Sequence, residues 1–271
     1  MQEATTEAST VQVILRAGVP AFVTWLLLSL SFLVPLLDST KPPYFSLDQV
    51  FPEMAYWLSQ SGGKFGATII GLLLLVLLVT RYGINNNRRW KEAGVVLLIA
   101  TIFAGGGAAF NEHIIKTKLK IPRPNIIWLA GENGSGPLGM TTEQFYNRGN
   151  KEVRSQLLRE TLRQQPAPVA LSGSIEAHWI DETGYSFPSG HAYSAMFFAA
   201  FFLAIAASYL STKRIWLFYA LLPWALAVCY SRTILRLHTP ADITLGGLQG
   251  LVLGMIAWAI ARTLIRKFTQ E

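Results

Sequence analysis

Three short blocks in this 271-residue chain carry residue types that suit phosphate-ester chemistry. They are Lys116-x6-Arg123-Pro124, Pro188-Ser189-Gly190-His191 and Ser231-Arg232-x5-His238-x3-Asp242. Together they supply three fixed cations, two imidazoles and one carboxylate. Phosphoryl transfer spreads negative charge over three equatorial oxygens, so catalysis rests on positioning and electrostatic stabilisation. Arginine offers a planar fork for those oxygens and lysine a point charge. One imidazole can attack phosphorus and the other can move protons, with no need for a metal.

Each block also has a plainer reading. Ser189 reads as a helix cap and Gly190 allows close backbone approach, so His191 stands at a helix start whose amides and dipole favour phosphate. Alone, Pro-Ser-Gly-His is weak and reads better as a histidine anchoring a helix end among headgroups. Thr239-Pro240-Ala241-Asp242 reads as another helix start, where a carboxylate is favourable for local reasons. Asp242 can at the same time fix the tautomer of His238. Headgroup attraction accounts for Lys118, Lys120 and Arg236. A metal site on His191, His238 and Asp242 is disfavoured, because three nearby cations repel a dication and complement a phosphate. His113 and His178 read as structural, and Trp128 and Trp179 as an interfacial aromatic belt.

The elements that must position these residues are membrane spans. The chain is 51% hydrophobic and 14% charged, with mean hydropathy +0.35. A soluble domain carries about 25% charged residues. Six runs hold no charge: 21–37, 65–80, 93–110, 192–210, 215–230 and 243–261. A helix crossing a bilayer needs about 20 apolar residues. Buried helices of a soluble protein explain one such run but not six. Glu3 and Glu7 without a Lys or Arg before them argue against a cleaved leader. Arg81, Arg88, Arg89 and Lys91, then Lys213 and Arg214, then Arg262, Arg266 and Lys267 mark the cytoplasmic loops and tail. Both termini are then inside, and 38–64, 111–191 and 231–242 face outward. The net charge of +7 therefore reflects topology, not nucleic-acid binding.

The expected fold is an all-α integral membrane protein: a single membrane domain over 1–271 with six transmembrane helices. A partly helical extracytoplasmic insert, about 124–187, lies between spans three and four. Within it, 142–162 has apolar residues at helical spacing and predicts one or two amphipathic helices. Residues 38–64 read as an interfacial loop. Gly105-Gly106-Gly107 in span three, and Gly246, Gly250 and Gly254 in span six, read as helix-packing positions. Cys229, the single cysteine, reads as an apolar packing residue, and no Cys-rich metal site is available.

All three blocks, complete and in order, resemble the signature of the type 2 phosphatidic acid phosphatase superfamily, the lipid phosphate phosphatases. The stretches 122–129 and 178–191 are similar to bacterial members acting on phosphatidylglycerol phosphate. The resemblance implies a helical bundle with its site at the outer face of a bacterial inner membrane. It implies that His191 is the nucleophile and forms a phosphohistidine, with His238 as acid and base oriented by Asp242. It implies that Lys116, Arg123 and Arg232, assisted by the backbone at Ser189 and Gly190, hold the phosphate. No cofactor, metal or obligate protein partner is implied; the partners are the bilayer and its lipids. Substrates in the family include phosphatidylglycerol phosphate, undecaprenyl pyrophosphate and phosphatidic acid. The rival readings are an undecaprenyl-pyrophosphate phosphatase as the main role, a lipid phosphotransferase with an alcohol as acceptor and, from a different class, an anion channel or transporter. The channel explains the three cations but not the paired histidines and Asp242.

Overall fold

The computed structural model describes residues 7–81 and 84–269. Glu3, used above against a leader, lies outside them. The described chain is helical and has no strand; one isolated parallel bridge joins Leu47 and Leu171.

Helix α1 (Thr10–Leu33) starts at a capping box in which Ser9 and Gln12 exchange hydrogen bonds. The first span thus begins well before the expected 21–37 and stops before Pro35. Arg16 interrupted the charge-free run, yet it is exposed, and a long side chain can carry its charge out of the apolar layer. The expected loop 38–64 contains helix α2 (Val50–Gly62). It is followed directly by α3 (Lys64–Val79), bent by 61° at Gly63. A Cβ on Gly62 would lie 2.3 Å from Val228 Cγ1, so only glycine permits this approach to the fifth span.

Helix α4 (86–119) contains two π-helical segments, Thr101–Gly105 and Asn111–Ile115, and ends at Lys120, which is left-handed with φ 51°. Four short helices make up the insert: α5 (Pro124–Ala130), α6 (Thr142–Tyr146), α7 (Lys151–Gln164) and α8 (Gly173–Asp181). Two of them fall in 142–164, as the spacing predicted. Helices α9 (Gly190–Tyr209), α10 (Arg214–Ile234) and α11 (Pro240–Thr269) complete the chain. Among the described residues five helices are long and apolar enough to cross a membrane, or six if the bent α2–α3 pair counts as one span. This is an all-α integral membrane architecture.

Helix α9 is the axis: 94% of its apolar window is buried, against 28% for α1. Helix α11 packs closest to it. Cβ atoms on Gly246, Gly250 and Gly254 would come within 2.6 Å of Ser189 O, 2.2 Å of Tyr193 O and 2.9 Å of Phe197 O. These three glycines act as expected. Gly105 and Gly106 do not, because a Cβ there meets nothing within 4 Å. Only Gly107 of that trio packs, against Tyr193. The face of α4 at Gly105 and Gly106 thus stands open.

A second apolar core joins the insert to one end of the bundle, with Ile126, Leu129, Phe145, Leu158 and Trp179 packed on Leu235 and Leu237. Trp179 is fully buried and its indole donates to Leu235 O, so it belongs to this core and not to an aromatic belt. Trp128 packs edge-on against it. Arg236 is also buried rather than turned to headgroups. Its backbone is left-handed (φ 60°) and its Nη1 donates to Asp38 O at 2.7 Å.

Candidate active site

The starts of α9 and α11 are locked together. Ser189 caps α9 by accepting from Ala192 N–H, and its own N–H donates to Asp242 O at 3.1 Å. Ser189 is fully buried, with its N–H given to Asp242 O and its hydroxyl oxygen closing the first turn of α9. Gly190 and His191 face a cavity of about 750 Å³, a size suited to a ligand headgroup. Lys116, Arg123 and His238 line the same cavity. The His191 side chain makes no hydrogen bond among the described residues. A Cβ on Gly63 would sit 3.2 Å from its Nε2, so the bend between α2 and α3 abuts the His191 ring.

Arg123 is placed by Pro122 and Pro124, which hold it extended ahead of α5. Its Nε donates to Gly184 O at 3.0 Å and its Nη1 to Leu237 O at 3.2 Å. Nη1 also lies 3.1 Å from His238 Nε2. Arginine only donates, so Nε2 accepts and the ring proton sits on Nδ1. Nδ1 faces Asp242 Oδ2 at 3.5 Å and Ser186 Oγ at 3.3 Å. Ser186 donates in turn to Asp242 Oδ2, which also accepts from Thr239 N–H at 2.7 Å. Asp242 therefore orients His238 largely through Ser186, where a direct bond was expected. Burial, then the charge of Arg123, pushes the His238 pKa down from 6.5 to about 3.

Arg232 is fully buried behind the cavity wall. It bonds Ser59 Oγ of α2, and its Nη1 lies 2.9 Å from His178 Nε2. His178 thus supports an arginine, in keeping with its structural reading. Burial, then Arg232, pushes its pKa from 6.5 to about 3. Lys116, also buried, pairs with Glu112 at 2.7 Å. His113, expected to be structural, is exposed on the cavity wall, because the π-helical segment turns 111–115 toward it.

Glu182 was not anticipated. Its carboxylate bridges the two arginines, with Oε2 on Arg123 Nη2 and Oε1 3.3 Å from Arg232 Nη2. Burial alone would raise its pKa, but Arg123 and Arg232 hold it well below the ordinary carboxylate range. Ser186 was missed as well. Both act through tertiary approach and carry no spacing signal; only their place within 178–191 set them apart. The site therefore unites a free imidazole, a second imidazole with its proton directed at a carboxylate, and two arginines already holding an anion.

The cavity runs from this cluster down between α3 and α4. Its lower wall is Ala67, Thr68, Ala104, Gly105, Ala108, Ala109 and Phe198.

The family model described as PAP2 superfamily matches residues 93–266. Phosphatidylglycerophosphatase B of Escherichia coli (strain K12) is 32% identical over 213 residues, covering 77% of this chain and 72% of the relative. Phosphatidylglycerophosphatase B of Haemophilus influenzae is 28% identical over 214 residues, covering 76% and 77%.

Proposed function

Since this chain belongs to the PAP2 superfamily, we propose that it hydrolyses the terminal phosphate of phosphatidylglycerol phosphate through a phosphohistidine on His191. The observation that carries this reading is the pairing of an unbonded His191 ring with Arg123 and Glu182 in one pocket, with Arg232 gripping Glu182 from behind its wall. The carboxylate of Glu182 stands where an anion with two oxygens fits two guanidinium forks. The names of the relatives support the substrate. Undecaprenyl pyrophosphate and phosphatidic acid present the same reacting group and are further candidates.

In the first step the His191 nitrogen bonds to phosphorus and the P–O bond to the lipid alcohol breaks. His238 gives its proton to the leaving oxygen. In the second step water attacks, His238 takes a proton from it, the P–N bond breaks and phosphate leaves. Lys116, Arg123 and Arg232 hold the phosphoryl oxygens, with Gly190 at the helix start beside them. Phosphate binding draws Arg123 toward its oxygens and off His238 Nε2, and the dianion raises the His238 pKa so that it can carry the proton. This reading needs no metal, because the three cations already supply the positive charge that the phosphoryl oxygens require. The site faces outward from the bacterial inner membrane with both termini cytoplasmic, in line with the loop charges. The small-residue wall between α3 and α4 lets the lipid tails remain in the bilayer.

The test is phosphate release by purified protein in detergent and chelator. Wild type releases phosphate from phosphatidylglycerol phosphate, and His191→Ala, equally well folded, loses at least about a thousandfold. Substantial activity in His191→Ala removes the nucleophile assignment. Activity restored only by one added cation removes metal independence. Phosphate passed to an alcohol with none set free indicates a transferase.

A further inference from the structure

The catalytic cavity holds more positive charge than one phosphate needs. Lys64, Lys116, Arg123 and Lys151 line it, against the carboxylates Glu112 and Glu182. Both carboxylates are spoken for: Glu112 pairs with Lys116, and Glu182 with Arg123 and Arg232. Lys64 and Lys151 make no ion pair among the described residues. Both are exposed, and both come from outside the three sequence blocks.

Each is anchored one residue from the reacting centre. Lys64 follows Gly63, whose Cβ position is 3.2 Å from His191 Nε2. The backbone carbonyl of Lys151 accepts from Thr183 Oγ1 at 3.1 Å, and Thr183 follows Glu182. A lysine side chain reaches roughly 6 Å from its Cα, enough to bring its ammonium beside a group attached to the reacting phosphate. Each lysine is also the first residue of its helix, α3 or α7. A cation at that end is opposed by the helix dipole, and a bound anion offsets the penalty.

We propose that Lys64 and Lys151 form a second anion subsite at the mouth of the catalytic cavity. It holds the phosphate that is not transferred in a lipid bearing two phosphates. This rests on the hydrolase reading above and deepens it. The shared ligand chemistry is a phosphate linked to the reacting one. It is either the diester of phosphatidylglycerol phosphate, a glycerol away, or the inner phosphate of a polyprenyl diphosphate, one oxygen away. Phosphatidic acid has no such group.

The experiment measures kcat/KM for these three lipids in wild type, Lys64→Gln, Lys151→Gln and the double variant, each checked for folding by size exclusion. The double variant lowers the ratio of a two-phosphate lipid to phosphatidic acid about 5–10-fold, through KM, and added salt shrinks the wild-type ratio. A drop confined to phosphatidylglycerol phosphate assigns the subsite to the diester; one confined to polyprenyl diphosphate assigns it to the inner phosphate. Equal losses on all three lipids, or none, overturn the subsite and leave the hydrolase reading standing. Wild-type protein that releases phosphate from none of them overturns the hydrolase reading, and the subsite with it.

Discussion

At the residue scale, Glu182 decides how the two arginines are held. Its carboxylate fastens Arg123 and Arg232, so a substrate phosphate must compete with it for both guanidinium forks. Neutralising that competitor while keeping its shape favours the incoming anion. Glu182→Gln therefore strengthens inhibition by orthovanadate several-fold, read as a lower inhibition constant. Weaker inhibition would show instead that the carboxylate's main work is to aim the arginines. Lys116, Arg123, His191, Arg232, His238 and Asp242 could be named from the sequence because they fall in three short blocks of chemically suited residues, and Lys116, Arg123, His191 and His238 line one cavity. Ser186 and Glu182 were not. Ser186 reaches Asp242 only after the two helix starts have been locked by Ser189 N–H and Asp242 O, a contact between residues far apart in sequence. The lock itself was not legible either: the cap role of Ser189 was visible, but the partner that takes its N–H was not.

At the element scale, two irregular helices build the cavity. The α2–α3 pair bends at Gly63, beside His191 Nε2. Helix α4 widens into π-helical segments, a form often found at functional sites. Tyr193 donates to Phe103 O at 2.5 Å, and Asn111 and Gln249 exchange two amide bonds of 2.9 Å each. These contacts hold the inner surface of α4 while Gly105 stays open. A side chain at Gly105 clashes with nothing and fills the passage between α3 and α4. Gly105→Leu is thus expected to fold, and to raise KM for long-chain phosphatidic acid about tenfold relative to a short-chain, water-soluble analogue. Equal effects on both would remove this passage as the path of the tails. Hydropathy located every span, but it could not show where a span breaks. Charge-free runs report apolar length, while bends and bulges arise from tertiary contacts, so α1 began early and α2 was taken for a loop.

At the scale of the whole molecule, an apolar bundle around α9 carries a separately packed insert, and the charged residues of the cavity lie where the two cores meet. Folding there buries histidines in their neutral form. His178 and His238 have pKa values pushed from 6.5 to about 3, chiefly by burial. Between those values the unfolded chain binds protons that the folded chain does not. The associated stability is full above pH 6.5 and is lost as pH falls toward 3. The Tm of the detergent-solubilised protein therefore drops on acidification through that window, and His178→Gln flattens part of the slope. A Tm that holds constant or rises would contradict the burial of neutral imidazoles. The most direct test of the central claim is to trap the covalent intermediate. Protein turning over phosphatidylglycerol phosphate is quenched rapidly in alkali, where phosphohistidine survives, and its peptides are read by mass spectrometry. Phosphate carried on His191, at a level that rises and decays with turnover, is the expected result. An unmodified His191 during active hydrolysis, or phosphate found on another residue, would contradict it.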